Sequence, residues 1–173
     1  MSNMYITRPL VHSSTRYSST RMLTRIAKDF RWEMAHRLPA HDGGCRNVHG
    51  HSYRMWVELT GEPQESGMVL DYFIMAKIVD PLIAEIDHAF LCDRSDKLIV
   101  DFLMSSRLKA VYVDFPTTAE NIAKWFFTRL SALFSPTDER SSMDERSSMK
   151  HLRKLTVRIQ ETERTFAEVS GSL

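Results

Sequence analysis

The stretch CRNVHGHSYRMWVELT (45–60) decides how the rest of the chain is read. From His51 onward Tyr53, Met55, Val57 and Leu59 fall on one side and Arg54, Glu58 and Thr60 on the other, with Trp56 among them. That is the period of a half-buried strand. His49 and His51 are two apart, so they project from one face if the strand begins there. Cys45 lies just upstream. A thiol and two imidazoles at the mouth of a strand can be a metal site with a reactive cysteine beside it, or the ordinary residues of a hairpin end.

Upstream, MLTRIAKDFRWEMAH (22–36) alternates loosely and predicts a strand, and Pro39 with Gly43-Gly44 punctuates a loop over 37–48. If the two strands pair as a hairpin, His36 arrives next to His51. Neutral imidazole is a common zinc ligand, and a catalytic zinc takes three protein ligands and leaves one position open. His49 and His51 supply two. His36 is the attractive third; His41, His88, His12 and His151 are the other candidates. Cys45 is then either a fourth ligand that closes a structural site or a free thiol acting as base or nucleophile.

Downstream, residues 61–67 form a turn and Asp71 is a good helix N-cap. Ile74, Ile78, Leu82 and Ile86 make an apolar stripe at helical spacing over 72–86, in which Pro81 predicts a kink or a break. Asp87-His88 follows: a carboxylate beside an imidazole can orient a base and lower a nearby thiol's pKa, or the pair simply ends the helix. A short helix falls within 94–110 and a short strand within 109–115. Residues 115–134 are the clearest helix, with Thr117-Thr118-Ala119-Glu120 fitting a capping box. DERSSM occurs twice in tandem in the polar segment that follows, which reads as a solvated loop. In the last strand, 152–162, Leu155, Val157 and Ile159 share a face whose next position is Glu161. An acid that continues an apolar face requires a partner or a ligand, unless the strand has already reached solvent. This order predicts an α+β fold, an antiparallel sheet with two main helices packed on one face.

Composition narrows the function classes. A net charge of +1 makes no case for nucleic-acid binding, and no apolar run approaches the ~18 residues of a membrane span. Two cysteines, Cys45 and Cys92, exclude a disulfide scaffold and fit a reducing cytosol; Cys92 reads as a small buried hydrophobe. The first 21 residues hold no acid, the first being Asp29. They read as a disordered extension, with an organelle transit peptide as the alternative, preceding a single domain over 22–173.

MAHRLP (34–39), CRNVHGHSY (45–53), LTGEP followed by GMVLDY (59–72), IDHAFL (86–91), PTTAENIAKW (116–125) and VRIQET (157–162) occur in this order. Together they resemble the 6-pyruvoyl-tetrahydropterin synthase family, and within it the 6-carboxy-tetrahydropterin synthase branch. The resemblance implies the tunnelling fold (T-fold), a zinc ion held by His36, His49 and His51, and Cys45 as general base assisted by Asp87 and His88. It further implies that Glu161 grips the pterin ring, with Glu120 as a second substrate-binding acid. Three residues separate Cys45 from the HGH triplet, as in the carboxy branch. That branch converts 7,8-dihydroneopterin triphosphate to 6-carboxy-5,6,7,8-tetrahydropterin, triphosphate and acetaldehyde, on the route to queuosine. The pyruvoyl reaction is the nearest rival; a non-catalytic zinc- or pterin-binding module is a rival of another class. The family also implies a cytoplasmic homohexamer, a dimer of trimers with active sites at subunit interfaces. Arg37 and Arg46 are candidates for holding the triphosphate. Residues 93–113 and the DERSSM repeat are longer than the family pattern.

Overall fold

The computed structural model describes residues 22–135 and 149–173; the expectations for residues 1–21 and for most of the DERSSM repeat lie outside them. Two long strands, β1 (Thr24–His36) and β2 (His49–Gly61), form an antiparallel hairpin. Its register places Phe30 opposite Met55, Trp32 opposite Tyr53 and His36 opposite His49. The even positions of β1 and the odd positions of β2 therefore share one face, and Phe30, Trp32, Met34, Tyr53, Met55, Val57 and Leu59 are buried there. Burying each such side chain contributes about 1.5–3 kcal/mol, so the alternation read from the sequence also holds the register.

The described sheet has six strands in the order β4-β3-β1-β2-β5-β6. β5 (Leu152–Thr162) and β6 (Thr165–Ser172) extend the hairpin antiparallel on one side. On the other side β3 (Ala89–Asp93) and β4 (Ala110–Val113) add parallel strands, so the sheet is mixed where pattern alone implied an antiparallel one. Two helices, α1 (Tyr72–Ile86) and α3 (Ala119–Leu133), pack on the buried face, as expected, and the α+β class stands. Asp71 caps α1 by accepting from the Phe73 N–H at 2.7 Å.

Pro81 does not break α1. A proline inside a helix costs about 3 kcal/mol, but its ring here lies on the exposed side. The adjoining Leu82, Ile83 and Ile86 are buried, and their combined burial outweighs that cost. The buried stripe is Met75, Val79, Leu82, Ile83 and Ile86; Ile74 and Ile78 sit at its margin. On α3, the Phe127 ring lies over Gly171 of β6, where a Cβ would come within 2.8 Å of it.

The 93–113 segment holds the third helix, α2 (Lys97–Ser106). Its Ile99 and Leu103 pack with Cys92, Phe90, Ala110 and Tyr112, a cluster separate from the main core. Leu91 and Val113 of the same two strands belong to the main core. β3 and β4 are thus covered on both faces, with α2 on the face opposite α1 and α3. Asp96, at the N-terminus of α2, turns its carboxylate away from the helix to take two hydrogen bonds from Arg37, one of them Nη2 to Oδ1 at 2.8 Å. The pair is largely buried, with side chains 17% and 5% exposed. No helix among the described residues is long and apolar enough to cross a membrane.

Removing one partner of such a pair strands the other's charge, at a cost of about 3 kcal/mol. Asp96→Ala is expected to lower stability to urea by that order and to make 97–113 the first segment cut in limited proteolysis. An unchanged denaturation midpoint would show that α2 docks through its apolar face alone.

Candidate metal centre and active site

The hairpin register brings His36 directly opposite His49, with His51 one pair further along opposite Met34. Pattern alone had put His36 beside His51; the pairing is offset, and the three still converge because all share the buried face. Ring centroids are 4.6 Å apart for His36 and His49, 5.3 Å for His36 and His51, and 5.0 Å for His49 and His51. One ligand nitrogen from each lies within 4.8 Å of the others. Gly50 between them suits the close approach of β1, since a Cβ there would sit 3.1 Å from the Met34 carbonyl oxygen.

Two of the rings have their tautomer set by the backbone. A carbonyl oxygen only accepts, so His36 Nδ1–H donates to Thr117 O and His49 Nδ1–H donates to Asn47 O, each at 2.8 Å. That leaves both Nε2 lone pairs for a ligand, the usual way a second contact orients a metal-binding histidine. Burial is the main reason that the His36 pKa falls to about 4; the Thr117 bond opposes it, and His49 and His51 lower it further. Burial likewise lowers the His51 pKa, against the pull of Glu161. At neutral pH both are neutral, the form that binds a metal.

Glu161 reaches this cluster and finds a hydrogen-bond partner there. It follows Ile159 on the buried face of β5, beside an irregularity in the β5–β6 pairing, a common means of re-aiming a side chain near a site. Its Oε1 accepts from Tyr53 Oη at 3.1 Å and lies 4.0 Å from His36 Nε2. Tyr53 was read only as a core position. It is 1% exposed, its ring stacks on Trp32 at 5.3 Å, and its hydroxyl also lies 3.2 Å from His36 Nε2. Burial above all, then the charge and hydrogen bond of Glu161, then Cys45, push its pKa well above the ordinary phenol range.

Cys45 is a free, half-buried thiol on a short 3₁₀ turn, Gly44–Arg46, and stays outside the histidine cluster. Asp87 and His88 end α1, with His88 Nδ1 2.9 Å from Asp87 Oδ1. Both are pinned to Glu33 on β1: the Glu33 N–H donates to Asp87 Oδ1 at 3.0 Å, and the His88 N–H donates to Glu33 O at 2.7 Å. The Glu33 bond, then His88, holds the Asp87 pKa below the carboxylate range. His88 has φ +56°, a left-handed conformation that a non-glycine residue adopts at some cost. Among the described residues no hydrogen bond or ion pair joins Cys45 to either of them. His88 and His51 line a groove of about 590 Å³ with Glu33, Lys109, Phe102 and Leu108, and a second cavity of about 740 Å³ runs past His51, Tyr53 and Glu161.

The remaining candidates separate. His41 accepts from the Gly43 N–H in an exposed loop, and buried His151 bonds the Val69 carbonyl, so neither joins the cluster; His12 lies outside the described residues. Arg37 is committed to Asp96, whereas Arg46 is exposed. The cap of α3 falls one residue later than the sequence suggested: Thr118 accepts from the Asn121 N–H, and Glu120 is exposed in the first turn. Thr117 is fully buried instead, its hydroxyl donating to Arg37 O while its carbonyl holds His36. A capping pattern concealed that role.

The profile of the 6-pyruvoyl tetrahydropterin synthase family matches residues 25–172. The chain belongs to this family. It is 40% identical over 114 residues to the 6-carboxy-5,6,7,8-tetrahydropterin synthase of Haemophilus influenzae, covering 61% of this chain and 81% of that protein. The Synechocystis protein of the same name is 34% identical over 111 residues, covering 61% and 73%. Among solved structures, the 6-pyruvoyl tetrahydropterin synthase of Plasmodium vivax superposes with a TM-score of 0.66 at 16% identity over 88% of this chain and 99% of that one. The Caenorhabditis elegans 6-pyruvoyl tetrahydropterin synthase gives 0.58 at 26% identity, over 87% and 97%. The fold is thus the T-fold.

The depressed His36 pKa has a signed consequence for the metal-free protein. Above pH 6.5 neither the folded nor the unfolded chain binds this proton; between 6.5 and about 4 only the unfolded chain does. Stability present above pH 6.5 is therefore lost as pH falls, by about 3 kcal/mol at pH 4 for a shift of this size. Urea denaturation of chelator-treated protein at pH 7.5, 5.5 and 4.5 checks the slope, which His36→Gln is expected to flatten.

Proposed function

We propose that this chain is a zinc-dependent lyase that converts 7,8-dihydroneopterin triphosphate to 6-carboxy-5,6,7,8-tetrahydropterin, releasing triphosphate and acetaldehyde. The observation that carries the proposal is the His36–His49–His51 cluster with Glu161 beside it and Cys45 outside it. The names of the relatives from Haemophilus influenzae and Synechocystis point to the carboxy branch, as does the three-residue spacing before the HGH triplet.

Three imidazoles with no thiolate among them suit a zinc that keeps its fourth position open. Bound by His36, His49 and His51, zinc would supply Lewis-acid polarisation of the substrate's side-chain oxygens. The chain's own groups account for the rest. Glu161, a carboxylate at the edge of the metal pocket, accepts hydrogen bonds from the N–H groups of the pterin ring and sets its orientation. Glu120 is a second acid for the same ring, left free of a reciprocal cap. Cys45, as thiolate, removes the carbon-bound proton made acidic beside the polarised oxygen. Asp87 keeps His88 oriented, and the pair holds the base ready.

Asp87-His88 is fastened to Glu33 rather than to Cys45. A neighbouring copy that presents its own pair to this Cys45 would complete the site, in keeping with a homohexamer with shared active sites. Arg46, exposed beside Cys45, is the freer candidate for the triphosphate. A reducing cytoplasm suits a free Cys45 thiol. The binding-module alternative expects Cys45 as a fourth ligand, and the cluster forms without it.

The test is to incubate zinc-loaded protein with 7,8-dihydroneopterin triphosphate, beside Cys45→Ala, and to assay pterin products and acetaldehyde. Carboxy-tetrahydropterin with acetaldehyde is expected, reduced at least 100-fold in the variant while its zinc content stays unchanged. A pyruvoyl product would overturn the branch but keep the chemistry. A zinc-loaded protein without turnover, or one that loses its metal in Cys45→Ala, would overturn the enzyme reading.

A further inference from the structure

The Tyr53 hydroxyl carries one proton and faces two groups that only accept. Glu161 Oε1 lies at 3.1 Å. His36 Nε2 lies at 3.2 Å, and because Nδ1–H is committed to the Thr117 carbonyl, the neutral ring presents only a lone pair there. Both neighbours cannot be served at once. The ring has little freedom to evade the choice: it is 1% exposed and stacked flat on Trp32, its partner across the hairpin, with 5° between the planes. Hydrogen bonds to an ionised acceptor are about twice as strong as those between neutral groups, so the proton favours Glu161, with the His36 lone pair as a competing acceptor at nearly the same distance.

We propose that Tyr53 is a positioning residue that couples the metal to the substrate anchor: a metal on His36 Nε2 removes the competing lone pair, and the Tyr53 proton then passes wholly to Glu161. Nothing is transferred covalently; a hydrogen bond changes acceptor. Glu161 becomes fixed in orientation and keeps its second oxygen for a ligand. Metal and pterin binding are thereby coupled, each tightening the other by the same factor. The inference rests on the reading of Glu161 as the pterin anchor.

The probe is unsubstituted pterin, which has no side-chain oxygen to reach the metal. It is titrated by its fluorescence into zinc-loaded and chelator-stripped protein, wild type and Tyr53→Phe. Zinc is expected to tighten pterin in the wild type by up to about twofold, because a proton that already favours the ionised acceptor has at most half its time to regain, and to leave the affinity unchanged in Tyr53→Phe, whose ring keeps its place on Trp32. A Co²⁺ titration separates this from a packing defect. Without the hydroxyl competing for Nε2, Tyr53→Phe is expected to bind Co²⁺ at least as tightly as the wild type, whereas a disturbed core would weaken it. Full zinc-dependent tightening in Tyr53→Phe, or weaker Co²⁺ binding, overturns the proposal. Should the variant fail to fold, the wild type alone decides: equal pterin affinity with and without zinc overturns it. Pterin binding to neither form overturns the anchor reading of Glu161 and the coupling with it, while the Co²⁺ titration still decides whether Tyr53 competes for Nε2.

Discussion

Opposite His36 on the neighbouring strand stands His49, and this pairing carries the site. It is held by the apolar residues below it. Strands have a period of two, so a slip of one residue between β1 and β2 would turn Tyr53, Met55, Val57 and Leu59 toward solvent and bring Arg54 and Glu58 inward. Each lost burial is worth about 1.5–3 kcal/mol, far more than the histidines contribute to the hairpin themselves. The core thus imposes a register, and the register delivers three imidazoles to one end of one face. β5 inherits the same phase through Ile159 opposite Met55, and that phase carries Glu161 to the same end.

The segment after His36 is fastened from two sides. The N-terminal end of α3 supplies Thr117, whose carbonyl orients the His36 ring and whose hydroxyl holds the next carbonyl, that of Arg37. The N-terminal end of α2 supplies Asp96, which clamps the Arg37 side chain. The long segment between β3 and α3 is therefore no passive insertion: its helix covers the open face of β3 and β4 and ties itself to the residue beside His36. On the far side of β1, Glu33 uses both its backbone groups to hold Asp87 and His88, and His88 accepts a left-handed backbone to do so. Strain of that kind persists where the surroundings over-determine it.

Alternation made three of the strands legible. β1, β2 and β5 show alternation because one face meets helices and the other meets water. β3 and β4 lie between α1 on one side and α2 on the other, so AFLCD and AVYV carry no period; β4 was legible only as a short strand within 109–115, and β3 was missed. β6 was missed for another reason: its inward positions, Ala167, Val169 and Gly171, form too weak an apolar stripe to read, Gly171 lying under the Phe127 ring, and its outer face is exposed. At Pro81 the break that local propensity allowed was outweighed by burial on the other side of the helix.

At the site, the sequence by itself determined the chemistry available: two histidines on one strand face, a third at the end of the preceding strand, a thiol in the turn and an acid prolonging an apolar face. These follow from spacing, since a side chain's direction along a strand depends only on parity. The tertiary structure decided that His36, rather than His41, His88 or His151, joins the pair, that Cys45 stays outside, that Arg37 is occupied, and that Thr117 and Tyr53 touch the histidine cluster. Those outcomes depend on which elements meet across the sheet and from the starts of α2 and α3. No local period encodes such contacts, and only the packed core sets the distances that make them.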